Sequence, residues 1–254
     1  MAAKKNDAAF TVPGLALKDG HRVAEILQGR LHALNDLQLT LKHAHWNVVG
    51  PGFIGVHEML DPQIETVRAM VDVVAERIAT LGVSPAGTPG ALVAARAWDD
   101  YTLGRASTLE HLAALDLVYD GVVTDHRAAI DATEDLDPVT QDILIDQVAQ
   151  LELFQWFMRS FLTTVDGDLS HAGATREIVA AARVSGAQKA PAPKKGAAKK
   201  APATKSAAKK TTAKKATAKK ATKAAKSAAG DSDELDDELQ SVTGGADELD
   251  DQDS

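Results

Sequence analysis

Between residues 21 and 48, apolar side chains recur at Val23, Ile26, Leu27, Leu34, Leu37, Leu41, Ala44 and Val48. This is the three-and-four spacing of a helix with one buried face, sustained for about eight turns. A stripe that long has to pack along other helices of similar length, and the chain supplies them. After Gly50-Pro51-Gly52, residues 53–81 repeat the pattern with Leu60, Ile64, Val67, Val71, Val74 and Ile78. Pro62 lies inside this second stripe and predicts a kink near Asp61. Residues 107–134 open with Ser107 and Glu110 in capping-box register and space Leu112, Leu115, Val118, Val122 and Ile130 for burial. Residues 138–164 begin with proline at the first turn and set Leu144, Val148, Leu151, Phe154, Phe157 and Leu162 inward. The connection 82–105 is long for a bundle and holds Pro85, Gly87, Pro89, Gly90 and a short apolar run, enough for one short helix. No segment alternates with the period of two that a strand needs. The expected fold is all-α: a four-helix bundle over residues 20–170 with a short helix between its second and third helices. A polar arm over residues 1–19 precedes it, in which Asp19 can cap the first helix.

Beyond the bundle the composition changes sharply. The whole chain carries a net charge of −8, but residues 189–226 contain 14 lysines and no acid, and residues 231–254 contain 11 acids and no base. Residues 1–188 are left with 14 basic and 25 acidic side chains, a net of −11. Within residues 171–230 a short helix is possible near 175–184, after which Ala, Pro, Thr and Lys dominate in a loose AKKA and TAKK repeat. Mutually repelling lysines with hardly any large apolar residue cannot form a core, so a disordered charged tail is expected. The lysines are Lys189, Lys194, Lys195, Lys199, Lys200, Lys205, Lys209, Lys210, Lys214, Lys215, Lys219, Lys220, Lys223 and Lys226. They make an electrostatic footprint for a phosphate backbone, with no aromatic interleaved to read bases. Residues 231–254, with the near-repeat DELDDELQ and DELDDQD, form an acidic and equally solvated terminus. It can compete with DNA for the lysines.

The chain has no cysteine, which excludes disulfides and thiolate metal sites and fits a reducing compartment. Asn6, Asp7 and Pro13-Gly14 interrupt the N-terminus, leaving no apolar core for a signal peptide. No window approaches the roughly 18 apolar residues of a membrane span. A soluble, cytoplasmic protein without membrane contact is expected.

The chemistry concentrates between His45 and Glu76. His57 and Asp61 are four apart on the second helix and share a face, as do Asp72 and Glu76. At 100° per residue all four fall within an arc of about 100° beside the apolar stripe. Imidazole and carboxylate together suit Fe, Mn or Zn. His57 and Asp72 are separated by roughly 22 Å of helical rise, far beyond the reach of one metal ion. One copy of the helix therefore cannot close a site. Two copies packed antiparallel about a two-fold axis would join the His57/Asp61 end of one to the Asp72/Glu76 end of the other, with His45 completing each site. An acid pair on a helix is usually a solvated face and a lone histidine usually a core residue, so the residues alone leave both interpretations open. His57-Glu58-x-x-Asp61 is half of a zinc-protease HExxH without its second histidine. The Glu-x-x-His pair that builds iron centres inside one bundle is missing as well.

The run HAHWNVVGPGFIGVHEMLD, followed by MVDVVAER, resembles the Dps family, the DNA-binding proteins from starved cells, which are miniature ferritins. The likeness extends over about residues 10–169 and includes the FQWF run of the fourth helix. It implies a ferritin-like bundle and a hollow dodecameric shell built on two-fold dimers. Such a shell oxidises Fe(II), preferably with hydrogen peroxide rather than dioxygen, stores the ferric product and protects DNA in the nucleoid. Carried over by position, the ferroxidase ligands are His45, His57 and Asp61 of one subunit and Asp72 and Glu76 of its two-fold mate. Trp46 resembles the aromatic beside the site, and Asp135, Asp137, Asp142 and Asp146 resemble the acids of the iron-uptake pores. Iron is the expected metal, with Mn or Zn possible at the same site, and no organic cofactor is implied. The lysine repeat resembles the tails of lysine-rich histones, implying sequence-independent DNA binding. Two classes of function stay in view: a metal-oxidising storage enzyme, and a mainly DNA-compacting nucleoid protein with a secondary metal site.

Overall fold

A computed structural model describes residues 8–189. They form six helices: α1 (Leu17–Asn47), α2 (Phe53–Thr80), α3 (Pro89–Ala95), α4 (Thr108–Thr133), α5 (Pro138–Leu162) and α6 (Glu177–Lys189). The four long ones make the expected bundle: α1 packs along α2 and α4 along α5, with α1 also against α4. Leu34, Leu41, Leu60, Val74, Leu115 and Leu151 are all fully excluded from solvent in one continuous core. Each such side chain contributes about 1.5–3 kcal/mol relative to exposure.

The details depart from the sequence pattern in several places. α1 begins two residues before Asp19, with Ala16 at the cap position and Asp19 inside the first turn. There Asp19 acts on the helix dipole and caps nothing. α2 continues through Pro62, as a kinked helix also can. The capping box of Ser107 and Glu110 forms as expected, Glu110 Oε2 accepting from the Ser107 amide at 2.7 Å. On α4 the buried face is rotated from the apolar one: Val118, Val122 and Ile130 are only partly buried, while Tyr119, Val123, His126 and Thr133 face inward. Those polar groups are tolerated because they are bonded across the bundle, Tyr119 to Gln63 at 2.9 Å and His126 to Gln147 at 3.3 Å.

Two short strands, unforeseen in the sequence, pair in parallel. β1 (Val48–Val49) lies beside β2 (Ala106–Ser107), with Val48 opposite Ala106. At two residues each they are too short to show a period. They tie the end of α1 to the start of α4 and so close the crossover that carries α3, itself capped by Thr88.

α6 is longer than the sequence suggested and is packed on the bundle. Ala180 and Val184 join the main core, and Ala181 packs with Leu103 and Ala114. The segment before it is held by His171, whose Nε2 is 2.9 Å from Asp116 Oδ2 in the interior. Of the lysine-rich run only Lys189, the last residue of α6, falls within the described residues. The expected disordered tail and acidic terminus lie outside them.

Candidate metal centre

The turn Gly50-Pro51-Gly52 decides where the site forms. Gly50 and Gly52 adopt φ of 89° and 77°, left-handed conformations that cost other residues about 1 kcal/mol or more. With them the chain reverses within three residues, so that the last turn of α1 lies against the first turns of α2. His45 and His57 are thereby stacked, ring centroids 3.6 Å apart and planes at 28°.

His57 Nδ1 lies 3.1 Å from the carbonyl oxygen of His45. A carbonyl only accepts, so Nδ1 carries the proton and Nε2 presents its lone pair. The same arrangement orients metal-bound imidazoles generally. His45 is 7% exposed, and neither of its ring nitrogens makes a hydrogen bond. An unpaired buried polar group costs about 1–3 kcal/mol, so its retention points to a ligand. His45 Nε2 approaches Asp61 Oδ1 to 3.0 Å without the alignment of a hydrogen bond, as two donors aimed at one cation would. Burial lowers the pKa of His45 and outweighs the raising influence of Asp61, which keeps the imidazole neutral and able to ligate.

His45, His57 and Asp61 each offer a ligand atom, all within 4.8 Å of one another. Two imidazoles and one hard carboxylate fit a divalent transition metal such as Fe(II), with Mn or Zn also accommodated. Three donors from one chain leave the coordination open.

Asp72 and Glu76 do not join this group. Both are exposed on the same helix, a minimum of 11 residues beyond Asp61, roughly 16 Å of rise away. Neither side chain makes a hydrogen bond or ion pair among the described residues. The two basic residues near them are engaged elsewhere, Arg68 with Glu65 at 3.0 Å and Arg77 with Asp137 at 2.6 Å. Trp46 is 70% exposed beside His45, and Val73 between the two acids is also exposed. Phe53 stands edge-on to His57 at 6.1 Å.

Lys42 was missed by sequence reasoning. Its Nζ is 2.7 Å from Asp61 Oδ1, and this bond is the main reason the Asp61 pKa is lowered. Lys42 and Asp61 are on different helices, so no spacing rule within one helix connects them. Their common signal is that Lys42 lies three positions before His45.

Of the four acids assigned to a pore, Asp135, Asp142 and Asp146 are exposed around the start of α5. Asp137 is different. It is buried at the N-cap, its Oδ2 receiving Thr140 Oγ1 at 2.5 Å and Arg77 Nη2 at 2.6 Å. Desolvation pushes its pKa up, but the bonds from Thr140 and Arg77 prevail and hold it below the usual range. Asp137 is thus engaged in holding α5 against α2, and it is buried where the other three acids are exposed.

An all-α bundle with a His/His/Asp cluster at the joint of two helices defines a bundle-type metal-binding protein. The Ferritin-like domain matches residues 24–167. The chain is 58% identical over 173 residues to the "DNA protection during starvation protein" of Mycolicibacterium smegmatis, covering 68% of this chain and 94% of that one. It is 50% identical over 163 residues to the "Fine tangled pili major subunit" of Haemophilus ducreyi, covering 64% of this chain and 86% of that one. Among solved structures, Mycobacterium smegmatis Dps in its tetragonal form matches with a TM-score of 0.64 and 58% identity, over 65% of this chain and 99% of that one. The chain belongs to the ferritin-like family, in its Dps branch. That family binds iron. Among the described residues no helix is long and apolar enough to cross a membrane.

Proposed function

We propose that this protein is a ferroxidase and iron store that also protects DNA. Fe(II) is its substrate, bound between two-fold-related subunits of a dodecameric shell. His45, His57 and Asp61 come from one subunit, Asp72 and Glu76 from the other. The observation that carries this reading is the buried His45 with both nitrogens unbonded, converging with His57 and Asp61 on an open point. The two further carboxylates the chemistry needs lie on the same helix but out of reach of that point, so a second copy has to supply them.

The preferred oxidant is hydrogen peroxide. Two Fe(II) ions each give up one electron, the O–O bond takes both and breaks, and two hydroxides form, later appearing as water or in the ferric oxyhydroxide. Because both electrons arrive together, no hydroxyl radical is released. His45 and His57 hold the ion as neutral imidazoles, and the carboxylates neutralise the growing charge as Fe(II) becomes Fe(III). Trp46, exposed at the same end of α1, is placed to donate an electron to any stray oxidant. Asp135, Asp142 and Asp146 attract Fe(II) toward the interior; Asp137 serves the fold.

DNA protection rests on the lysines of residues 189–226, which bind phosphates without regard to sequence and gain avidity from many tails on one shell. The name of the Mycolicibacterium relative agrees with this role. The protein then acts in the cytoplasm, at the nucleoid.

The test is Fe(II) oxidation by hydrogen peroxide, followed by ferric absorbance. His45→Ala and Asp72→Ala are each expected to slow it at least about tenfold, a loss of about 1.4 kcal/mol of transition-state stabilisation or more. Full activity in both variants would leave DNA compaction as the main role.

A further inference from the structure

Away from the metal centre, a cavity of about 250 Å³ opens between α1, residues 98–102, α4 and the first turn of α6. Its inner surface is apolar, formed by Leu37, Leu117, Val118 and Val122, with Trp98 and Tyr101 beside them. Five carboxylates line it as well: Asp36, Asp99, Asp100, Asp125 and Glu177, against a single base, Arg176.

Three of the five acids are already ion-paired, sharing two arginines. Arg96 bridges Asp36 and Asp100 at 2.7 and 2.9 Å, and Arg30 pairs with Asp125 at 3.3 Å. Asp99 and Glu177 have no ion pair among the described residues. Glu177 stands in the first turn of α6 and accepts from both Thr102 N and Thr102 Oγ1, at 2.9 and 3.0 Å. A helix N-terminus and two donors ordinarily favour the charged carboxylate. Its pKa is nevertheless raised, first by burial and then by Asp100 and Asp99. Burial therefore outweighs its local donors, and the negative field of Asp100 and Asp99 adds to it.

An anion is disfavoured by that field, and a purely apolar ligand would leave it unanswered. We propose that the cavity binds a small alkyl polyamine, with its methylenes on the Leu37, Leu117 and Val122 surface and its ammonium groups at Asp99 and Glu177. The size agrees: about 250 Å³ corresponds to roughly eight waters' share of liquid volume, room for a linear triamine of about ten non-hydrogen atoms. A polyamine also suits the site better than a single ammonium, because several carboxylates on different elements line one apolar cavity. This site is independent of the iron chemistry.

The test is calorimetric titration of the assembled full-length protein with spermidine at low ionic strength. One spermidine per subunit is expected. Asp99→Asn with Glu177→Gln should weaken it about tenfold, the effect of roughly 1.4 kcal/mol. Gly121→Leu gives a second handle: Gly121 lines the cavity from α4, and a Cβ there meets no atom within 4 Å. The leucine should fill the space and abolish binding, while Gly121→Ala retains it. Unchanged affinity in the carboxylate variant, or in Gly121→Leu, would assign the binding to acids elsewhere on the chain and overturn the proposal. Absence of binding to the assembled protein would overturn it too, since a neighbouring subunit would then cover the cavity.

Discussion

Lys42 Nζ stands 2.7 Å from Asp61 Oδ1, the same oxygen that lies 3.0 Å from His45 Nε2. The carboxylate proposed as an iron ligand is therefore already holding a cation, carried on a flexible stem that is 32% exposed. Fe(II) has to displace that ammonium, which is compact, strongly hydrated and readily returned to water. Replacing Lys42 by Met keeps the stem and removes the competitor. Lys42→Met is expected to lower the Fe(II) concentration for half-maximal oxidation several-fold, with little change in the limiting rate. Stopped-flow absorbance across an Fe(II) series checks this; an unchanged half-saturation would show that Lys42 does not compete, and a higher one that it assists binding.

The proposed division of the site between two subunits has a consequence that ordinary mutagenesis does not reach. Asp61→Ala and Glu76→Ala should each be inactive as pure proteins, since every site then lacks one ligand. When the two variants are co-expressed, a mixed dimer has one site with both defects and one with none. Random pairing makes half the dimers mixed, so roughly one site in four should work. Peroxide-driven Fe(II) oxidation at about a quarter of the wild-type rate per subunit is the expected result. Co-assembled shells as inactive as either parent would place Asp61 and Glu76 in the same half-site.

The helices were legible because their apolar spacing runs over many turns, and the grouping of His45 with His57 because Gly50-Pro51-Gly52 favours a tight reversal between them. What escaped depends on contacts between elements. The inward face of α4 was misplaced toward Val118 and Val122 because Tyr119 and His126 look solvent-seeking until Gln63 and Gln147, on other helices, are brought to them. Asp137 looked like one of four surface acids, but its partner Arg77 is 60 residues earlier in the chain. Lys42 was overlooked for the same reason. β1 and β2 were invisible because two residues carry no pattern. The partnership of Asp72 and Glu76 with the histidine end followed from the length of the helix, and it remains a proposal about two chains.

His126 predicts how the bundle responds to acid. Its ring is fully buried between Arg30 Nη1 at 3.5 Å and Gln147 Oε1 at 3.3 Å. Burial, reinforced by the Arg30 charge, lowers its pKa from 6.5 to about 4. Between these values the unfolded chain binds a proton that the folded one refuses. The contribution of neutral His126 is thus complete above pH 6.5 and falls away as the pH drops toward 4, by up to about 3 kcal/mol at 1.36 kcal/mol per unit. Carboxylates add to any acid destabilisation, so the informative quantity is a difference. Denaturant midpoints measured at pH 7 and 5 should fall more for the wild type than for His126→Gln, which keeps a hydrogen-bonding side chain without the titration. Equal falls would show that His126 titrates normally in the fold.

The two oppositely charged C-terminal stretches lead to a prediction about DNA. With 14 lysines in residues 189–226 and 11 acids in residues 231–254, the acids can neutralise most of the run in the same chain. DNA then has to compete with a tethered polyanion whose effective concentration is high, on the order of millimolar for short connections. Deleting residues 231–254 should tighten binding at low salt and steepen its salt dependence, because more phosphates can be contacted per tail. Truncation after Gln188 should abolish binding altogether. Gel shifts with duplexes of unrelated sequence, run across a salt series, distinguish the outcomes. Affinity retained after the Gln188 truncation would transfer the DNA contact to Lys4 and Lys5 of the N-terminal arm. Unchanged affinity on removing residues 231–254 would show that the acidic stretch does not act on the lysines at all.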